Sequence, residues 1–402
     1  MKAVVMAAGK STRTYPLTLT RPKPLLPVAN RTILEHQLDA LAPLVDEVIL
    51  VVGYKAGMIE DRFGDSYGDI SLRYVHQSEQ LGTGHAVLEC AGIMDEPFIA
   101  VNGDDLYDSN DLRTLSELRQ GALAKTVDDP RLYGIYELTD GDKVVRLVEK
   151  PRDVFSKVAN IGAYKFTPEV FDVLRNIEPS PRGEIEITSA VQRLADQGDF
   201  RVAHTKGYWL PVGYPWHLLD ANLFMLETKL EAVQEGGISP AAHLSGNVAV
   251  GRNSEVRPGA VIDGPVRIGR ECIIGPNCYI RPGTSIGDGC RVGQSVELKN
   301  TILMEGATVA HLSYLGDSIV GAGVNIGCGT VVANLRHDAG NVKSVVNGDL
   351  VDTGRQKLGA ILGDGARTGV NTSIYPGRKL WPGTFTRPGR IVEEDLMEQN
   401  TQ

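Results

Sequence analysis

The chain has no excess of positive charge. Its 41 Lys and Arg face 50 Asp and Glu, a net of -9 over 402 residues, which argues against a general nucleic-acid binder. It has no apolar run of membrane-spanning length, and Met1-Lys2 leads into a short strand-like run instead of a signal peptide. We therefore expect a cytoplasmic protein with no membrane partner. Its five cysteines, Cys90, Cys272, Cys278, Cys290 and Cys328, form no CxxC pair, which excludes the common thiol metal knuckles and fits a reducing compartment. Ala8-Gly9-Lys10-Ser11 lacks the upstream glycine of a P-loop. The length exceeds one ordinary core, so two domains are expected.

What is present begins with a period of six. Aliphatic residues recur at Val250, Val256, Ile262, Ile268, Ile274, Ile280, Ile286, Val292 and Leu298. Neither a helix nor an ordinary strand repeats at six. A short fixed period marks a solenoid, in which each turn buries its apolar residue against its neighbours. A second column, four residues on, is small: Ser254, Ala260, Val266, Cys272, Cys278, Thr284, Cys290 and Val296. A three-faced prism accounts for both columns, with the aliphatic residue on the axis and the small one near a corner. Gly251, Gly269, Gly275, Gly287 and Gly293 follow aliphatic residues, where a tight turn can use freedom in φ. The pattern is that of the left-handed parallel β-helix. The register slips by one to Leu303, Val309 and Leu315, and again to Val320, Ile326 and Val332. It resumes at Leu362, Thr368, Ile374 and Leu380. Residues 336–359 fit no period and read as a loop projecting from the prism, on its working face.

The first half alternates strand and helix. Apolar runs at 3–7, 47–53, 71–76 and 97–101 are separated by helical spacing at 33–44 and 86–93. That order predicts a Rossmann-like α/β domain with a parallel sheet covered on both faces. Ligands in such sheets bind beyond the carboxyl ends of the strands. A charged helical stretch, Phe224 to Gln234, reads as a connector. The expected domains are 1–223, a helical linker 224–245, and a β-helix 246–402.

Two strand-end segments carry chemistry. Ala7-Ala8-Gly9-Lys10-Ser11-Thr12-Arg13 follows the first run, with Arg21-Pro22-Lys23-Pro24-Leu25-Leu26-Pro27 just beyond. A small-residue turn lets backbone N–H groups approach phosphate oxygens. Arg13 and Lys23 would neutralise a polyphosphate there. On its own, the segment reads equally as a tight turn with two solvated cations.

The block Ala7 to Pro27, Gln77 to Ala86, Asn102-Gly103-Asp104, Val148-Glu149-Lys150-Pro151, Gly183 to Thr188 and Trp209 to Asn222 together resemble the sugar-1-phosphate nucleotidyltransferases, in order. The resemblance implies in-line attack of a sugar phosphate on the α-phosphorus of a nucleoside triphosphate, with pyrophosphate leaving. The attacking phosphate is largely ionised at neutral pH, so no general base is needed. The resemblance puts Ala8, Gly9, Lys10, Gln77, Gly82 and Thr83 at the nucleotide and Arg13 at its β/γ-phosphates. Lys23 falls near the α-phosphate, Gly134, Glu149, Lys150 and Asn160 at the sugar phosphate, and Asp104 on Mg²⁺, with Mn²⁺ an alternative. Two positions depart. Ser11 stands where the family commonly has Gly. Pro211 stands where relatives usually carry the second metal-binding acid, with His217, Asp220 or water as substitutes.

In the second half, Arg281, Lys299, His311, Tyr314, Asn325 and Asn334 resemble, at matching intervals, the acetyltransferase half of the bifunctional enzymes that make UDP-N-acetylglucosamine, in their archaeal-type version. The resemblance implies that His311 takes a proton from the amine of glucosamine-1-phosphate as it attacks acetyl-CoA; an imidazole titrating near neutrality suits that task. It puts Arg281 and Lys299 at the sugar phosphate, Tyr314 and Asn325 at the same substrate, and Asn334 at the acetyl group or amine. Lys343 adds charge from the loop. Leu335-Arg336 departs from the bacterial form. Such prisms form homotrimers in related proteins, with acetyl-CoA between subunits. Two rivals remain open at this stage: a single-activity nucleotidyltransferase, such as a glucose-1-phosphate thymidylyltransferase, whose prism is an inert stalk, and a non-catalytic subunit that binds a nucleotide sugar.

Overall fold

A computed structural model describes residues 1–139, 141–198 and 200–397. Contacts divide the chain into two units. One comprises Met1–Lys10, Pro22–Leu25 and Ile33–Pro211; the other comprises Ser11–Arg21, Leu26–Thr32 and Val212–Gln402. This division differs from the boundaries read in the sequence, because two early segments and the helix His217–Lys229 cluster with the prism. The expected connector is only partly helical. From Gln234 onward the chain already pairs beside Val250 as the first rung of the prism.

The first unit is built on a ten-stranded sheet. Its centre is the parallel set β1 (Lys2–Met6), β2 (Glu47–Val52), β3 (Ile70–His76) and β4 (Phe98–Asn102). Alternate residues enter opposite layers: Val4, Ile49 and Val51 on one face, Ala3, Val5, Val48 and Leu50 on the other. Both layers are buried, as continuous apolar strands require. The remaining strands make the sheet mixed. β5 (Asp105–Tyr107) leaves the main sheet to pair with β9 (Trp209–Pro211). β6 (Gly134–Thr139) and β7 (Lys143–Glu149) form an antiparallel pair. β8 (Val158–Phe166) runs antiparallel to β4. The helix expected over 86–93 spans Thr83–Leu88. Beyond it the bonds Cys90 N to Val87 O and Ala91 N to Leu88 O tighten the turn, so the apolar pattern continues without the helix.

β8 contains a bulge between Asn160 and Tyr164. Gly162 has φ 72°, and a Cβ there would lie 1.9 Å from Asn102 Nδ2. Glycine takes this φ without strain and leaves room for the Asn102 amide, and the bulge turns Asn160 to its partners.

The second unit contains three all-parallel sheets of a β-helix, of six, eight and seven strands. Val250 pairs with Ile268 and Ile268 with Ile286, eighteen residues per coil. At the two slips the coil shortens by one: Leu298 pairs with Leu315, and Leu315 with Val332. Both sequence columns are buried; the aliphatic one lies wholly in a single core cluster. The glycines after the aliphatic residues answer to clearance more than to φ. A Cβ on Gly251 would sit 2.6 Å from the backbone of Gly269, and one on Gly287 would sit 2.7 Å from Glu305 N; only Gly275, at φ 93°, uses the left-handed region.

The insert at 336–359 is not a featureless loop. Lys343–Val346 and Asp349–Asp352 form an antiparallel hairpin. Asn347 (φ 50°) and Gly348 (φ 92°) make its turn, the residue pair that such turns demand. Val345-Val346-Asn347-Gly348 was the signal for it. The hairpin is fastened to the prism through Arg378 to Lys343 O (2.8 Å), Ser344 to Gly377 O (2.9 Å) and Lys379 to Val345 O (2.6 Å).

Candidate active sites

In the first unit, Ala8 lies just past β1, and its carbonyl accepts from Tyr54 N (3.0 Å) and Gln80 Nε2 (2.9 Å). Gly9 and Lys10 beyond it are exposed. Gln80 was not foreseen; it ties the Gln77–Gly82 loop to the strand end. Gln77 is buried, and its amide nitrogen donates to Gly82 O (3.0 Å) and lies 3.0 Å from His85 Nδ1. That nitrogen is therefore occupied within the loop. Gly82 caps the following helix at φ 98°, and Thr83 Oγ1 accepts from Ile187 N.

Lys23, 2% exposed, donates to Asp104 Oδ2 at 2.7 Å. The structure thus joins two of the expected phosphate and metal residues at the end of β4. Asp105, next in sequence, turns inward towards Tyr107 and Asn102. Burial, with the Asp104 charge beside it, pushes its carboxyl up to about 7. In the ladder Asp105 lies directly opposite Pro211. Of the substitutes considered for Pro211, Asp220 is ion-paired with Arg355 and His217 Nδ1 accepts from Gly213 N at 3.2 Å.

The expected sugar residues gather on β6, β7 and β8. Gly134 lies opposite Glu149, and a Cβ there would be 2.9 Å from Glu149 Oε2. Glu149 opens on a recess of about 550 Å³ shared with Glu178, Glu186 and Arg193. Burial raises its carboxyl above the ordinary glutamate range, while Lys150 opposes the shift. Asn160 accepts from Tyr136 Oη (3.1 Å) and donates to Tyr164 Oη (2.8 Å). Neither tyrosine was picked out beforehand. Arg13, in the second unit, is exposed and lies 5.6 Å from the Tyr214 ring centre.

On the prism, Glu297–Lys299 stacks on Tyr314–Gly316, which stacks on Val331–Val332. Outward residues of consecutive coils therefore meet. Arg281 pairs with Glu297 (2.9 Å) and Lys299 with Asp317 (3.0 Å). Asn334 Nδ2 donates to Asp317 (2.5 Å) and lies 3.4 Å from Tyr314 Oη. Burial, with Asp317 and Glu297 nearby, raises the Tyr314 phenol. His311 ends the strand Thr308–His311 on the adjoining face, opposite Gln294. Its side chain is exposed and its ring makes no hydrogen bond among the described residues. Leu312 turns the corner at φ 45° towards Tyr314. Asn325 stacks on Thr308, at the other end of that strand from His311. Lys343 is exposed at the foot of the hairpin. The five cysteines are free thiols, and Cys272, Cys278 and Cys290 are buried in the small column.

The nucleotidyl transferase family model matches residues 2–228, and a GMPPB C-terminal domain model matches 262–378. A bifunctional protein GlmU of Methanococcus maripaludis is 43% identical over 403 residues, covering 100% of this chain and 96% of its own. The chain belongs to the bifunctional GlmU family. A bifunctional sugar-1-phosphate nucleotidylyltransferase/acetyltransferase of Sulfurisphaera tokodaii is 35% identical, with 98% of each chain covered. Among solved structures, a Bacillus anthracis protein described as a candidate glucose-1-phosphate thymidylyltransferase, with sucrose bound, superposes with a TM-score of 0.52 at 25% identity. It covers 56% of this chain and 94% of its own, so that likeness reaches only part of the molecule. The full-length relatives disfavour the reading of the prism as an inert stalk. No helix among the described residues is long and apolar enough to cross a membrane.

Proposed function

We propose that the chain acetylates glucosamine-1-phosphate with acetyl-CoA on the prism and then joins the product to UMP from UTP on the sheet unit, releasing pyrophosphate. The observation that carries this reading is the clustering of Arg281, Lys299, Tyr314 and Asn334 on one prism face, with an exposed His311 ending the strand of the adjoining face. His311 takes a proton from the amine nitrogen as that nitrogen attacks the thioester carbonyl; the C–N bond forms, the C–S bond breaks, and the proton passes from His311 to the sulfur, so that coenzyme A leaves as the thiol. Arg281 and Lys299 have N–H groups to spare for the sugar phosphate. Acetyl-CoA lies between subunits of a homotrimer in this reading.

On the sheet unit, Lys23 neutralises charge beside the α-phosphate. Glu149 accepts from sugar hydroxyls, with Lys150 at the sugar phosphate. Positioning and charge neutralisation do the catalytic work. No group of three or more His, Cys, Asp or Glu that could hold a metal ion occurs among the described residues. A single accessible carboxylate, Asp104, stands at the strand end. That suits Mg²⁺, which is commonly held by one or two carboxylates together with substrate phosphates; Mn²⁺ accepts similar oxygen ligands. Such an ion supplies charge neutralisation at the phosphates. Pro211 adds no ligand.

Incubating the protein with glucosamine-1-phosphate, acetyl-CoA, UTP and Mg²⁺, and weighing the products, tests the reading. The mass of UDP-N-acetylglucosamine is expected. Thymidine triphosphate and galactosamine-1-phosphate belong in the same panel, because one methyl or one hydroxyl configuration discriminates weakly. Uridylyl transfer to N-acetylglucosamine-1-phosphate with no consumption of acetyl-CoA returns the prism to a stalk.

A further inference from the structure

Asp317 has no part in the reaction as set out above. Its side chain is 4% exposed. One carboxylate oxygen accepts from Lys299 Nζ (3.0 Å) and Asn334 Nδ2 (2.5 Å), and the other accepts from Asn300 Nδ2 (2.8 Å). Its backbone is tied on both sides, Asp317 N to Lys299 O and Gly359 N to Asp317 O, each at 2.8 Å. Gly316 makes room for the cluster, since a Cβ there would fall 2.4 Å from Tyr314 Oη and 2.6 Å from Asn334 Nδ2.

The corner itself does not call for a charge. Successive coils carry Gly283 (φ 80°), Asn300 (φ 46°) and Asp317 (φ 50°) at this place. All that the backbone demands is tolerance of the left-handed region, which Gly and Asn provide. A buried carboxylate is costly unless its oxygens are satisfied. Here two of its three donors are residues assigned to the substrate. Lysine loses much rotamer freedom when it is held in place, and an anchor that fixes it beforehand removes that cost from substrate binding.

The geometry points to Asp317 as a positioning residue for acetyl transfer, whose carboxylate holds the Lys299 ammonium and the Asn334 amide where the amino-sugar phosphate meets them. This rests on the acetyl-transfer reading above. The first measurement is therefore acetyl transfer by the unaltered protein, whose absence defeats that reading itself. With transfer established, Asp317→Asn keeps the size, removes the charge and turns one acceptor into a donor. KM for glucosamine-1-phosphate should rise about tenfold and kcat fall about tenfold. KM for acetyl-CoA, uridylyl transfer by the same sample, and the melting midpoint should stay near their original values. Acetyl-transfer constants equal to the unaltered protein's overturn the inference. So does a parallel fall of both activities with the midpoint, which would mark Asp317 as structural only. Should Asp317→Asn not fold, Asn300→Ala removes one donor and no assigned substrate contact. A rise of about threefold in KM for the amino-sugar phosphate alone is then expected, and an unchanged KM overturns the inference.

Discussion

The two units bring site residues together in different ways. On the prism, translation does it: residues seventeen or eighteen apart stack, so Glu297 lies against Tyr314 and Lys299 against Gly316. In the sheet unit, strand order and one bulge do it. Asp104 leaves a central strand, Glu149 ends an antiparallel one, and Asn160 is aimed by Gly162. A translational repeat makes spatial neighbours readable as a spacing. A wound sheet hides them behind its topology.

If the two units act separately, one substitution should silence one chemistry alone. His311→Ala should lower acetyl transfer by about 10²- to 10⁴-fold, the range of a lost general base. Uridylyl transfer from UTP to N-acetylglucosamine-1-phosphate should continue. Loss of both activities in that variant breaks the comparison at its root. Gly162→Ala sharpens the comparison from the other side. A methyl group would fall 1.9 Å from Asn102 Nδ2, and φ is 72°, so the Asn102 amide must swing away and the strained bulge must relax. We expect about 2–4 kcal/mol of lost stability in the sheet unit, read by denaturant melting. KM for the sugar phosphate should rise in uridylyl transfer, while acetyl transfer holds.

The same contrast sets what was legible. The prism's period appears in Val250 to Leu298, and both slips fall where the coils shorten. Polar residues on its outer face could be matched by interval alone. What escaped was the anionic half of each pair, Glu297 and Asp317, because a carboxylate beside a cation looks like an ordinary solvated surface. The hairpin escaped too, although Asn347-Gly348 announces it, because a search for period six discards whatever breaks the period. In the sheet unit the central parallel strands were readable from apolar runs. The pairing of Lys23 with Asp104 and the tyrosines around Asn160 were not. Nothing local in the sequence marks a contact between residues about eighty positions apart.

Where the prism departs from its repeat, a stability signature should follow. Lys379 is 1% exposed, and its ammonium donates to Val345 O of the inserted hairpin. Burial lowers its pKa from 10.5 to about 8. Between those values the folded chain holds fewer protons here than the unfolded chain, so this contribution grows more favourable as pH rises. Below pH 8 the burial penalty is present in full. The melting midpoint of the unaltered protein minus that of Lys379→Met should therefore become more positive from pH 8 to 10.5 and stay level from 6 to 7.5. A difference that does not vary with pH would mean that the amine keeps its ordinary affinity for protons.

The smallest effect concerns Ser11, where the family resemblance leads one to expect glycine. Ser11 has φ 53° and ψ 51°, a conformation that costs an L-residue roughly 1–2 kcal/mol and glycine little. Its carbonyl accepts from Thr14 Oγ1 (2.7 Å) and Thr18 Oγ1 (2.9 Å). Both bonds go to main-chain oxygen, so glycine would keep them. Glycine also gives the unfolded chain more freedom, which offsets part of the gain. Ser11→Gly should raise the stability of the second unit by about 0.5–1 kcal/mol, seen as a higher denaturant midpoint at unchanged slope. A lower midpoint would mean that the serine hydroxyl holds this turn through a contact worth more than the strain.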